Sequence, residues 1–189
     1  MSTYLQRQSY PINPAIFPLL STSATASLAL YEYIFLNSLL KASQTQSQKY
    51  SSSVARTIAL WWSQSLPSGL AVILSLGLTS LITGIRTIRA FPAGSTRRWV
   101  AVAGTLLATG HFAFAPRISK VIQGMAYAYE RAGVWERKVD AMEAGKTEEQ
   151  VAEEKALEGQ REWLRVHFWR TLLTDLPALG CFGWLVFAS

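Results

Sequence analysis

The chain has 189 residues, 50% of them hydrophobic and only 16% charged, below the ~25% charge usual for soluble domains. Its net charge of +6 comes from 18 basic residues scattered along the sequence and mostly flanking apolar segments, a placement that suits membrane edges and needs no nucleic acid. The single cysteine, Cys181, excludes an internal disulfide and a Cys-rich metal site.

Four apolar stretches lie between Arg7 and Lys41, between Arg56 and Arg86, between Arg98 and Arg117, and from Thr171 to Ser189. They contain two acidic residues, Glu32 and Asp175. Each approaches the ~20 residues a helix needs to cross a ~30 Å hydrocarbon core. Lipid admits essentially only structures that satisfy their own backbone, so the expected fold is all-α, a four-helix transmembrane bundle making one integral membrane domain.

The first span, about residues 15–40, is rich in small residues from Ser21 to Ser27, which let helix backbones approach closely in a bilayer. Only Arg7 precedes it and no small-residue cleavage site follows, so it is expected to act as its own signal anchor. The Ser/Gln-rich stretch 42–56 has the composition of a solvated loop. Trp61 and Trp62 fall where an interfacial aromatic anchor belongs, and Pro67 opens the second span, about 67–87. The short connection AFPAGSTRR makes the third span, about 99–117, its antiparallel neighbour.

Beyond the third span the pattern turns amphipathic, and nine of the twelve acidic residues fall between Glu136 and Glu162. This region, about 119–165, is expected to form a charged extramembrane helical hairpin between spans three and four. One helix is expected from Val121 to about Ala144, with Gly145 as its stop. A second starts at Thr147, whose spacing to Gln150 makes a capping box, and continues without a break into the fourth span, about 167–188, bending near Pro177. The hairpin is either a solvated spacer or a surface for a protein partner. Basic residues near the span ends number five on the side of the termini and seven on the side of the hairpin, which points both termini to the lumen or exterior.

Polar groups inside the spans carry the functional reading, because their cost in lipid calls for a reason. Glu32, with Asn37 a little beyond it, either ties helices together or belongs to a site. His111, flanked by Gly104 and Gly110 and followed by Pro116 and Arg117, is either a satisfied core group or part of a pocket floor. In the fourth segment His167, Arg170 and Thr174 fall at i, i+3 and i+7 on one helical face. Asp175, five residues past Arg170, is poorly placed on an α-helix to pair with it and is expected to meet a basic group from another span. Arg170 alternatively snorkels, with Trp163 and Trp169 as belt residues. The sequence has no phosphate loop, HExxH, paired cysteines or G-x-S-x-G, and two histidines alone make no His-rich metal centre. No cofactor is expected.

Trp61-Trp62, the stretch FAPRISKVI from Phe114 to Ile122, and Trp163-Leu-Arg-Val-His167-Phe-Trp-Arg170 resemble the fungal anthrone-oxygenase-like membrane proteins, small four-span proteins largely of unknown function. The turn after the third span differs, with Pro116-Arg117-Ile118-Ser119 where that family tends to Pro-Tyr/Phe-Thr. The resemblance implies cofactor-independent oxygenation of an anthrone-like aromatic polyketide in specialised metabolism, in the endoplasmic reticulum or another endomembrane. A carbon acid of this kind needs a base and a cation for the oxyanion that follows. The candidate catalytic residues are His111, Arg117, His167 and Arg170; Glu32, Asn37, Trp169 and Asp175 are candidates for substrate binding. The expected partners are an apolar aromatic small molecule, the lipid bilayer and, through the hairpin, a protein. The competing class is a non-catalytic membrane scaffold of a biosynthetic pathway, whose polar residues only lock the bundle. A transporter is disfavoured by the lack of inverted repeats.

Overall fold

A computed structural model describes residues 12–45, 48–129 and 145–188, and those residues are helical with no strand among them. The helices are α1 (Ile16–Thr45), α2 (Gln48–Ala90), α3 (Thr96–Gly110), α4 (Ala115–Ala126), α5 (Glu148–Arg170) and α6 (Leu176–Phe187). Two irregular segments interrupt them, a 3₁₀ turn over His111–Phe114 and a π-helical segment over Thr171–Asp175. Three stretches are long and apolar enough to cross a membrane: Ile16–Gln44, Ser51–Ala90 and Thr96–Ala126. Their surfaces carry Leu20, Leu30, Ile34, Leu70, Leu78, Ile82 and Leu106 exposed, which hydrocarbon rather than water would cover.

The largest departure from expectation lies at the start of the second span. The described residues of 42–56 are helical; α1 runs through Thr45 and α2 begins at Gln48, so that Pro67 sits inside a helix of 43 residues rather than opening one. Packing explains it. Val54, Ala55, Ile58 and Trp62 form a buried stripe at helical spacing and meet Ala156, Leu157, Trp163 and Leu164 of α5, and burial of such a stripe outweighs the weak helix preference of the serines around it. Trp62 is therefore a core residue, 5% exposed, and not an interfacial anchor. The helix expected from Val121 to Ala144 ends at Ala126, followed by a turn at 127–129; residues 130–144 lie outside the described residues.

The restart of the chain at Thr147 follows the sequence closely. Gly145 has φ +72°, a conformation that favours glycine. Thr147 accepts from the Gln150 backbone N–H while the Gln150 side chain accepts from that of Thr147, a complete capping box. From there the chain is helical to Phe187, broken only by the π segment. The charged face of α5 is tied inward: Glu149 pairs with Arg56 at 3.5 Å, Glu153 accepts from Ser52 at 2.5 Å, and Glu162 pairs with Arg117. At this end the Tyr129 ring lies against Arg56. Burial, reinforced by the Glu153 charge and opposed by Arg56, holds the Tyr129 phenol above its usual range.

Two apolar cores stack along the bundle. One joins the C-terminal half of α1 with α2, α4 and α5 around Leu36, Ile58, Trp62, Met125 and Trp163. The other joins the start of α1 with α3 and α6 around Ala15, Ala101, Ala178, Phe182 and Leu185. Asn13 pins the second end, donating to the Leu185 carbonyl at 3.1 Å. Helices approach closely where residues are small: a methyl group at Gly84 would collide with Thr105, and one at Gly77 with Phe112. Between the two cores lies a buried polar cluster.

Candidate functional site

Two prolines build that cluster. Pro116 has no N–H and its ring crowds the carbonyl four residues back, that of Phe112; the preceding turn tightens, with the Ala115 N–H bonding Phe112 O in a 3₁₀ step. Pro177 does the same to Leu173, and here the turn widens: the Leu176 N–H reaches back five residues to Thr171 O. The two irregular segments touch. Each turns a titratable side chain inward, His111 at the start of the first and Asp175 at the end of the second.

The widened turn corrects the reading of Asp175. On an α-helix residues 170 and 175 diverge, but an i→i+5 turn brings them onto one side, and Asp175 Oδ2 lies 3.6 Å from Arg170 Nε. Asp175 also meets a partner from another helix, as expected, with Oδ1 3.0 Å from His111 Nδ1. Thr174 donates to the same oxygen at 3.4 Å and to the Arg170 carbonyl at 2.6 Å. All four residues are buried, His111 being the most accessible at 8%. A carboxylate accepting at Nδ1 holds the neutral imidazole in the tautomer with its proton there, leaving the Nε2 lone pair as acceptor. Arg170 Nε and Asp175 Oδ2, 3.6 Å apart and shielded from solvent, face each other as an ion pair beyond hydrogen-bond distance.

The cluster borders a cavity of about 510 Å³ between α1, α2, α4 and α5, within the 300–1,000 Å³ range of small-molecule sites. Its walls are mostly apolar and aromatic, including Trp61, Trp62, Leu66, Ile118, Ile122 and Trp163; its polar groups include Glu32, His111 and Arg170. Tyr31, Leu70 and Leu74 line it while remaining 64%, 52% and 43% exposed, as do the exposed Ala115, Ser119 and Gln123 of α4, so it opens sideways toward the surface that lipid would cover. Across the imidazole lies a second space of about 10 Å³, bordered by Asp175, Thr22, Thr25 and Ser80. That is room for about one water molecule. His111 borders both.

Three of the predicted residues, Glu32, His111 and Arg170, thus come together at the large cavity, and Asp175 supports two of them from behind. The other four do not join them. Arg117 is exposed on α4 and pairs with Glu162. His167 is 1% exposed, stacks on Trp163 with centroids 4.2 Å apart, and its Nε2 donates to the Ala29 carbonyl at 2.9 Å, so it ties α5 to α1 outside the cavity. Asn37 is half-buried on α1, away from the lining, and Trp169 faces outward at 50% exposure. Among the described residues no group of three His, Cys, Asp or Glu side chains offers a metal site.

Sequence reasoning missed Gln160. It is fully buried in the apolar core, and its Oε1 accepts from Trp62 Nε1 at 3.0 Å, which fixes Trp62 against Trp163, 5.1 Å away, on the cavity wall. A signal was present: Ala152, Ala156, Gln160, Trp163, His167 and Arg170 follow one another at spacings of four or three, a single helical face running through the charged segment.

No protein-family model, curated protein or solved structure matches this chain.

Proposed function

We propose that this protein is a four-span endomembrane protein that oxygenates an apolar, anthrone-like aromatic without a cofactor, as its resemblance to the anthrone-oxygenase-like proteins implies. Support for the fourth span comes from α6 and the π segment before it: α6 packs on α1 and α3, Leu172 and Leu173 of the π segment and Leu176 and Phe187 of α6 face outward, and the charges of Arg170 and Asp175, which weaken the apolar character of the stretch, offset one another. The observation that carries the function is His111, oriented by Asp175 at 3.0 Å, standing with Arg170 on the wall of a large apolar cavity.

In this reading His111 Nε2 takes a proton from the acidic ring methylene, and Arg170 holds the enolate oxygen that results. The carbanion adds dioxygen and becomes a hydroperoxide. Loss of the remaining proton on that carbon, with cleavage of the O–O bond, leaves a quinone carbonyl and one water, so CH₂ and O₂ become C=O and H₂O. The sideways opening lets such a molecule arrive from the bilayer.

The test is oxygen uptake and quinone formation by the full chain in nanodiscs supplied with an anthrone. His111→Ala is expected to lower the rate about 100- to 10,000-fold and Arg170→Gln about 100-fold, the ~3 kcal/mol of a lost oxyanion donor, at equal abundance in the membrane. Undiminished turnover in both refutes the assignment. It would favour a scaffold in which His111, Asp175 and Arg170 only lock the bundle, a reading supported by their mutual pairing.

A further inference from the structure

Gly69 lies on α2 in the cavity wall, with Ser65 and Leu66 a turn before it and Ile73 a turn after, all lining the same space. A glycine inside a helix costs about 0.5–1 kcal/mol relative to alanine, so its presence calls for a reason. At Gly77, Gly84 and Gly159 the reason is a neighbour: an added methyl would strike Phe112, Thr105 or Met125. At Gly69 nothing lies within 4 Å of where a Cβ would stand. Gly124 and Gly180 are open in the same way, but of these three helical glycines Gly69 is the one that lines the cavity, and the space its missing side chain leaves is cavity.

The space faces aromatic walls. Trp61 and Trp62 meet edge to face at 4.7 Å, Trp62 packs on Trp163, and the Gln160 bond holds Trp62 in place. Fixed indole rings, two of them about two turns before Gly69 on α2 itself and the third on α5, border a space that suits a flat ring system, and Glu32 and Arg170 supply the polar contacts for one acidic hydroxyl at its edge.

We propose that Gly69 sets the size of ligand this cavity admits, keeping the α2 wall open so that a fused-ring hydroxyarene dissolved in the bilayer can lie against the tryptophans. The proposal rests on the reading that the cavity holds an apolar substrate, and it does not require that the substrate react. A Cβ at position 69 meets no protein atom within 4 Å, so Gly69→Phe would project its ring into this space and leave room only for a small ligand ring.

The experiment uses the full chain in nanodiscs and reads quenching of tryptophan fluorescence by 1-hydroxypyrene, a four-ring probe, and by 4-bromophenol, a one-ring heavy-atom quencher. The wild type should give saturable quenching with both. Gly69→Phe should bind 1-hydroxypyrene at least tenfold more weakly while holding 4-bromophenol within about threefold. Gly180→Phe, which adds the same side chain on the outer face of α6 with nothing within 4 Å, should match the wild type with both. Non-saturating quenching in the wild type, equal binding of both probes by Gly69→Phe, or loss of both probes in that variant would each overturn the proposal. The size role and the reaction fail separately. Probe selectivity without any oxygen uptake leaves the size role standing and removes the oxygenase reading. Turnover that depends on His111 but is indifferent to Gly69→Phe, for large and small substrates alike, does the reverse.

Discussion

Asp175→Leu strips the Arg170 guanidinium of its carboxylate at a position where Arg170 is only 5% exposed. At 3.6 Å and an effective dielectric of ~20 the direct attraction is about 5 kcal/mol, most of it offset by the cost of burying both charges. Removing one partner forfeits the attraction while leaving the burial cost, and the expected destabilisation is about 3–5 kcal/mol. Arg170→Met should cost less, about 1–3 kcal/mol, because Asp175 keeps its bond to His111. The double variant removes both charges and leaves mainly the His111 Nδ1–H without an acceptor, a loss of about 1–3 kcal/mol. The cycle should therefore show a coupling of about 4 kcal/mol between the two positions. Equilibrium unfolding in mixed dodecyl maltoside and dodecyl sulfate micelles, followed by helical circular dichroism, measures all four corners. If the two single costs simply add to within about 0.5 kcal/mol, Arg170 and Asp175 do not act as a pair.

Pro177→Ala restores an N–H to the Leu173 carbonyl, but closing the widened turn to α geometry at full length would swing α6 by about 100° and take Phe182 out of its core, so the turn should stay wide. In that background the Arg170–Asp175 coupling should remain within about 1 kcal/mol of the wild-type value, measured in the same micelles; its loss would show that the proline alone holds the turn open. Tyr129 has a phenol raised by burial in the folded protein, so its contribution to stability is present below the ordinary phenol range and is lost as pH rises through about 10 toward the folded value. Thermal unfolding at pH 8 and pH 11 should show that loss in the wild type and a smaller one in Tyr129→Phe, whose cost at pH 8 stays within about 1 kcal/mol because the hydroxyl has no partner. Epitope tags before Met1 and after Ser189 should be cleaved from the same side of sealed membranes, as an even number of crossings demands; cleavage from opposite sides removes the fourth span.

Runs of apolar residues announce α1, the inner part of α2, and α3 without ambiguity, since hydrocarbon requires length and composition directly. The capping box at Thr147 was equally readable, being local chemistry. Residues 42–56 were not, because their helix depends on what Val54, Ala55, Ile58 and Trp62 bury against α5, and a serine-rich surface hides that partner. For the site, His111, Glu32 and Arg170 stood out as costly groups in lipid, and the cavity gathers them. The link between Arg170 and Asp175 was hidden by assuming 3.6 residues per turn through a segment that has more. Arg117 was misplaced for a different reason: its proximity to His111 in sequence says nothing about which side of α4 it occupies, and Glu162 claims it at the surface.

The π segment also makes α5 and α6 two separately counted helices within one rod. Its extra residue offsets the register of α6 against α5, so the face that buries Ala178, Phe182 and Leu185 is indexed from position 175 onward and not from the start of α5. Closing that turn at full length would rotate the whole face by about 100°, turning Phe182 out of the core, whereas deleting one residue between 171 and 174 would close it to α geometry and leave the face where it is. The seam therefore holds one residue of slack: a residue lost there is absorbed, and the end of the bundle that holds Asn13 and the end that holds Gln160 both keep their packing.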